Sequence, residues 1–376
     1  MAAAEPILAS SLWSAGEENA SNSTTATPPH KRRKLAIGCP TIDESLQGGF
    51  DHGSITCISA EAESGAKDLS YSLIAAHLLT SERADATVVD TNNSFDVRRL
   101  HKRLVTGLMR DETRGARDSD ARDEAVRVLD RARIMKAFDF VGLTECVAEL
   151  RENLEMPSNE ASSPRQQEAA APRGTVGDSE DEEEEMLDTP ASPPKPVALS
   201  TKEPYNHNNS GHCSSHLLIV DNITYVTSPL LKNSHVQGQA LLTTFMRSLA
   251  LVTQRHDVCT IIHNTAVTYP SSNNNSNTNP TRTTAEPTPS IFASCALRPA
   301  LGKSFPYLLD LHLLLHRLPV SAADAKAVYA AHGASPKPGH RLASVLEVMH
   351  DRYSDRTGCW SAFRADAEGG LAGISS

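Results

Sequence analysis

Between a strand-like run, Ser54 to Ile58, and a helix-like run beginning at Leu69, the chain reads Ala60-Glu61-Ala62-Glu63-Ser64-Gly65-Ala66-Lys67-Asp68. A turn of this kind is where a G-x-x-x-x-G-K-[ST] loop holds phosphate. Backbone N–H groups surround the anion at a helix N-terminus, the Lys reaches the β- and γ-phosphates, and the hydroxyl holds Mg²⁺. In the direct register Ala60 stands at the first glycine, Gly65 is kept, Ala66 replaces the Lys and Lys67 replaces the hydroxyl residue. Shifted by one, Lys67 takes the Lys position, but Glu61 and Ala66 fall at the glycines and Asp68 at the hydroxyl. Neither register completes the loop, and Glu61 and Glu63 put negative charge beside a triphosphate. Downstream, Leu217 to Val220 closes on Asp221, the pattern of a buried strand whose terminal acid supports Mg²⁺. Many buried strands end this way; its order after the turn and after Val88-Val89-Asp90-Thr91 makes it informative.

Other constellations carry less. His212, Cys213 and His216 lie close together without the second pair of ligands that a tetrahedral zinc site needs, and read as incidental. Cys259 and His263 flank an apolar run and read as core. The seven cysteines form no C-x-x-C pair, which points to buried, reduced thiols in a cytosolic or nuclear protein. Lys31, Arg32, Arg33 and Lys34 follow two prolines and read as a nuclear localisation signal, or else as a solvated basic arm.

The elements that must position these residues alternate. "SITCIS" and "ATVVD" read as buried strands. "DVRRLHKRLVTGLM" places Val97, Leu100, Leu104 and Leu108 on one helical face. A further helix and a strand near Ile134 to Ala137 follow, then the amphipathic "VGLTECVAELRENL". "HLLIVDNIT" (216–224) reads as a strand, "QALLTTFMRSLALVTQRH" as a long helix, and "CTIIHN", "LLDLHLLLH" and "ASVLEVMHD" as further strands. Strand–helix alternation predicts an α/β fold, a mostly parallel sheet with helices on both faces. The expected organisation is a disordered tail over 1–34, one core split into 35–156 and 215–376, an acidic disordered insertion over 157–214 containing Asp178 to Glu185, and a flexible loop over 268–290.

The net charge of -10, from 36 Lys and Arg against 46 Asp and Glu, excludes a uniformly basic nucleic-acid binder while leaving room for a local basic surface. No apolar run reaches the roughly 18 residues of a membrane helix, and the N-terminus lacks the basic start of a secretory signal. A soluble intracellular protein is expected.

"IGCPTIDESLQGGFDHGSIT", "VVDTNNSFDVRRL", "ARIMKAFDF", "LLIVDNITYVTSPLL", "TIIHNTAV" and "LRPALGKSFPYLLDLHLLL", in that order, resemble the ATPase core of the eukaryotic RecA-like strand-exchange recombinases. The "VTSPLL" and "RPALGKSF" blocks look most like the D-type branch of their paralogues, a homologous-recombination mediator. The resemblance implies a RecA-like P-loop ATPase core, ATP and Mg²⁺ as cofactors, and nuclear localisation. It implies other recombinase paralogues, the strand-exchange recombinase and single-stranded DNA as partners. It carries Asp221 onto the Walker-B acid, and Gly65, Lys67 and Asp68 onto a degenerate nucleotide site. Asn92 falls where the recombinase has the Glu that activates water, and an amide is no general base. Two DNA-facing loops correspond to Lys232–Gln239 and to part of 268–298, giving Lys232, Arg282 and Arg298 as DNA-binding candidates and Tyr269 as a stacking candidate. The chain has no small helical domain in its first 35 residues and no clear F-x-x-A-type motif before the core, unlike the family pattern. The expectation is a catalytically degenerate accessory protein. The alternatives are a DNA-dependent ATPase using an unusual P-loop and a pseudo-ATPase adaptor outside repair.

Overall fold

Two short strands, β1 (Lys34–Leu35) and β2 (Phe50–Asp51), pair antiparallel and bracket helix α1 (Pro40–Ser45). They lead into β3 (Ser54–Ala60), a strand buried on both faces except at its last residue. The computed structural model describes residues 32–110, 118–156, 215–268, 290–330, 342–366 and 370–374. Most of the expected 1–34 tail, the 157–214 insertion and nearly all of the 268–290 loop lie outside the described residues.

After β3 come α2 (Ala66–Thr80), β4 (Ala84–Asp90), α3 (Val97–Arg110), α4 (Asp118–Leu129), β5 (Ala132–Lys136) and α5 (Phe140–Glu155). The second part supplies β6 (Ser215–Asp221), α6 (Ile223–Asn233), α7 (His235–Arg255), β7 (Cys259–Thr268) and β8 (Leu297–Pro299). It ends with β9 (Leu311–Pro319), α8 (Ala322–Ala330), β10 (Leu342–Asp351), β11 (Trp360–Ala365) and β12 (Leu371–Ile374). Among the described residues the main sheet has ten strands in the order β12-β11-β10-β9-β3-β7-β6-β4-β5, with β8 attached to β7. The six from β9 to β5 run parallel; β10, β11 and β12 extend the sheet antiparallel.

Alternation along the strands divides the core between the two faces, because successive side chains point to opposite sides. Ile58, Val88, Leu217, Ile219 and Ile261 join one apolar cluster with residues of α1 to α4. Ile55, Cys57, Val89, Leu218, Val220 and Ile262 join another with residues of α5, α6 and α7. The α/β class and the helix-covered, mostly parallel sheet are therefore present. The described cysteines are all free, and all but the half-buried Cys359 are buried.

Three expectations differ in detail. Leu100, Leu104 and Leu108 are buried, but Val97, at the first turn of α3, is 47% exposed. The strand expected to run to Thr224 stops at Asp221, because Asn222 caps α6 by accepting the Thr224 N–H at 3.0 Å. The tail expected to run to Lys34 gives way one residue earlier: Lys34 belongs to β1, while Arg32 and Arg33 are exposed coil before it.

Candidate functional site

The C-terminal ends of β3, β4, β6, β7 and β9 share one edge of the sheet. Strand order reverses there about β3, the kind of place where open α/β sheets bind ligands. The turn from β3 to α2 is 61–65. Gly65 is the N-cap of α2 with φ +94°, and an added Cβ would lie 3.1 Å from Ser344 Oγ and 3.5 Å from Phe363 Cε2. Glycine is demanded by both the backbone and the close approach of β10 and β11. The helix begins at Ala66, so Lys67 and Asp68 both fall in its first turn.

The turn is tied to β9 by charge. Arg317 Nη1 lies 3.4 Å from Glu63 Oε2 and its Nε 3.8 Å from Glu61 Oε2, while the Arg317 N–H donates to Glu61 Oε2 at 3.3 Å. Ser64, buried, donates its hydroxyl to the Glu61 carbonyl at 2.7 Å. Lys67 is exposed, whereas Asp68 pairs with Arg99 of α3, whose guanidinium also lies 5.1 Å over the Tyr71 ring. Asp221 and Lys67 both act on buried His263. Burial lowers the pKa of that imidazole, the Asp221 carboxylate opposes the drop and the Lys67 ammonium adds to it. Ser70 Oγ and His263 Nε2 are hydrogen-bonded at 2.6 Å.

A magnesium–triphosphate does not fit these residues. In the direct register the Lys position is a methyl group and the hydroxyl position an ammonium; shifted by one, Glu61 and Ala66 replace the glycines and Asp68 the hydroxyl; in either, the turn presents two carboxylates beside Arg317. Asn92, which the resemblance alone sets where water would be activated, is engaged in hydrogen bonds of its own turn. Asp90, buried at the end of β4, accepts the N–H groups of Asn92, Ser94 and Phe95 at 3.3, 3.2 and 3.0 Å. Asn92 Oδ1 in turn accepts the Ser94 hydroxyl.

A polar network absent from the sequence reading crosses the same edge. Thr91 Oγ1 accepts the Asn222 N–H at 2.8 Å, and Asn222 Nδ2 donates to Thr265 Oγ1 at 2.9 Å. The Thr265 N–H donates to Thr224 Oγ1 at 2.9 Å, and Thr224 Oγ1 donates to Asn264 Oδ1. Asn264 Nδ2 donates to Ser59 Oγ at 2.9 Å, and Ser59 Oγ lies 2.8 Å from His312 Nε2. Burial, with a smaller contribution from His350, pushes His312 down to about 4, so the imidazole is neutral at pH 7. The available signal was the placing of Ser59, Asn264 and His312 near the ends of apolar strands, where a polar side chain must find a partner.

Beside this network a cleft of about 800 Å³ opens between the ends of the strands, α5 and α6. Asn92, Asn222, Thr224, Thr265 and Lys232 line it. Phe138 and Tyr225 line it too, and are 75% and 61% exposed. Among the described DNA-binding candidates, Lys232 lines the cleft and Arg298 does not. The loop expected over Lys232–Gln239 is helical instead: α6 ends at Asn233, and Ser234 caps α7. Arg298 lies on β8 opposite Val267. Arg282, Tyr269, His212, Cys213 and Lys31 lie outside the described residues. His216 is hydrogen-bonded to Thr87 Oγ1 at 3.0 Å, and Cys259 is fully buried, so both serve the core.

A parallel sheet covered on both faces, a turn–helix after its central strand and a Walker-B-like acid at the same edge define a RecA-like α/β core. A solved structure described as the crystal structure of the RadB recombinase shares this fold. The TM-score is 0.50 with 18% identical residues, covering 91% of this chain and 100% of that one. At that identity the likeness speaks for the fold alone. No family profile matches the chain, and no curated protein does.

Proposed function

We propose that the protein is a recombinase paralogue that serves homologous recombination as a non-catalytic accessory. It acts in the nucleus by offering a RecA-like face to other paralogues and to the strand-exchange recombinase. One observation carries the reading: within a RecA-like fold, the turn that would hold phosphate presents Glu61 and Glu63, and Arg317 of β9 lies 3.8 and 3.4 Å from them, chiefly offsetting Glu61. A turn closed on its own cation has no use for a triphosphate, and Asn92 gives no base to activate water.

The exposed pair Phe138 and Tyr225, with Lys232 and several amides around one cleft, supports direct contact with single-stranded DNA. Aromatic faces stack on bases and a lysine meets phosphate.

The test is a titration with a fluorescent ATP analogue, with the protein alone and with a co-expressed paralogue, using Asp221→Asn as control. No saturable binding in either preparation is expected. Saturable binding abolished by Asp221→Asn would instead mean that Lys67 and Asp221 make an unusual working site, and the ATPase alternative would replace this reading.

A further inference from the structure

Helix α3 carries charge of one sign. Its 14 residues include Arg98, Arg99, Lys102, Arg103 and Arg110, with no Asp or Glu among them, in a chain whose net charge is -10. Leu100, Leu104 and Leu108 fasten one side of the helix to the core, and the cations lie away from them. Arg98, Arg99, Lys102 and Arg110 are exposed.

The helix gains no stability from this arrangement. Arg98 and Lys102 are four residues apart, as are Arg99 and Arg103, and Arg99 and Lys102 are three apart. At these spacings like charges repel on a helix surface. Arg98 and Arg99 also lie in the first turn, where the helix dipole disfavours positive charge, and that turn holds no acid. Part of the repulsion is offset locally. Asp68 pairs with Arg99, whose guanidinium lies 5.1 Å from the centroid of the Tyr71 ring, and Asp366 pairs with Arg110 at 3.2 Å. Asp96, just before the helix, accepts the Arg98 N–H at 2.9 Å. Five cations against these three carboxylates leave the face positive. The neighbouring α4 is mixed in sign, with Asp118, Asp120, Asp123 and Glu124 against Arg122 and Arg127.

We propose that the exposed face of α3 is a second nucleic-acid surface, one that holds the sugar–phosphate backbone by charge and reads no bases. Arg98 to Arg110 spans about 18 Å of helix axis, a length over which a duplex carries about ten phosphate charges. Four of the five cations are arginines, whose planar guanidinium meets phosphate oxygens through two parallel N–H bonds. The Tyr71 ring beneath Arg99 is buried, so it is not offered to a base. Acidic groups elsewhere on the chain do not forbid the contact, because salt at 0.1 M screens charges more than about 10 Å away. The inference does not rest on the cleft: α3 packs on the face of the sheet opposite α5 and α6, whose ends line that cleft.

The test is fluorescence anisotropy of a labelled duplex of about 20 base pairs with the full chain, at three salt concentrations. A duplex keeps its bases stacked, so it probes α3 rather than the cleft. Binding is expected, with log affinity falling linearly against log salt. Arg98→Ala combined with Lys102→Ala should lower that slope by about 1.8, at roughly 0.9 for each phosphate contact. Arg98→Lys combined with Lys102→Arg keeps the charge and should keep the slope. Phe138→Ala combined with Tyr225→Ala should leave duplex binding unchanged, which separates this surface from the cleft.

An unchanged slope in the double alanine variant overturns the proposal. So does an equal loss of slope in the charge-retaining variant, since charge would then not be the cause. No duplex binding at about 50 mM salt overturns it as well. Saturable binding of a synthetic peptide of residues 177–186 in its place would give the face to an acidic protein segment.

Discussion

Arg317 meets Glu61 through both its backbone and its side chain: the N–H donates to Glu61 Oε2 at 3.3 Å and Nε lies 3.8 Å from the same oxygen. The charge that a phosphate loop would reserve for its ligand is thereby satisfied from within, by a residue of β9. Glu63 is 83% exposed at its side chain, so its contribution is screened, and the contact to Glu61 is the stronger part. Arg317→Ala should cost about 1 kcal/mol of stability. The loss should be larger at low ionic strength, read as urea midpoints at two salt concentrations. A loss independent of salt would mean that the side chain acts by packing.

Arg356 is a different kind of pair. Its guanidinium is buried between Asp351 and Asp51 and joins the first strands to β10. Burial opposes ionisation of Asp351, but hydrogen bonds from Arg356 and from the Tyr353 and Ser354 N–H groups outweigh it and hold the carboxyl below its ordinary pKa. Arg356→Met would leave buried Asp351 without its cation and Asp51 with Lys34 alone, at a cost of about 3–5 kcal/mol. Urea denaturation should show the midpoint falling accordingly; a change within error would mean that the aspartates find other partners.

Asn264 sits in the middle of the network, receiving from Thr224 and donating to Ser59. Asn264→Leu fills the volume but leaves both neighbours short of a partner in a buried place. The expected loss is about 1–3 kcal/mol. Pairing the substitution with Ser59→Ala should recover part of it, since one orphaned hydroxyl is removed; strictly additive losses would show that the two side chains are not coupled.

How far the sequence could be read follows from the range of each signal. Local periodicity found β3, β4, β6, β7 and the long α7, because a strand buried on both faces is a continuous apolar run. The degenerate turn was legible too, since it rests on adjacent residues. What was not legible is long-range. Nothing near Glu61 in the chain announces Arg317, 256 residues away, and nothing near Lys34 announces Arg356. Arg32 and Arg33 are exposed, as an arm would be, but their partners, Tyr353 and Asp257, come from turns far downstream. The segment Lys232–Gln239, expected as a loop, is helical because Ser234 caps α7 by accepting the Gln237 N–H, a signal carried by adjacent residues.

Acid should destabilise the fold before its carboxylates titrate. Burial pushes His77, His216, His312 and His316 down to about 4. In the unfolded chain they titrate near 6.5. Between these values the unfolded state binds protons that the folded state does not, so stability is full above about pH 6.5 and falls as pH drops toward 4. The limiting slope is about 1.4 kcal/mol per pH unit for each histidine. His216 and His77 lie close enough to repel when charged, which further disfavours protonating both. Urea midpoints at pH 7.5 and 5.5 should differ clearly, with the lower pH less stable. A flat profile over that interval would mean that the histidines are protonated in the fold.

The cleft yields the most direct test of nucleic-acid contact. Phe138 and Tyr225 are large aromatic side chains left mostly in water, where apolar surface is costly unless something covers it. They line one cleft with Lys232, the only one of the described DNA-binding candidates found there. If bases stack there, Tyr225→Ala and Phe138→Ala should each weaken binding of a thymine oligonucleotide by about 1–3 kcal/mol, largely independent of salt. Lys232→Ala should act differently: its loss removes one phosphate contact and should reduce the slope of log affinity against log salt by roughly 0.7. Fluorescence anisotropy at three salt concentrations separates the two behaviours. Aromatic substitutions that leave affinity unchanged, while Lys232→Ala still lowers the slope, would place the strand on the lysine but outside the cleft. No effect from any of the three would remove DNA from this edge of the sheet and leave it to a protein partner.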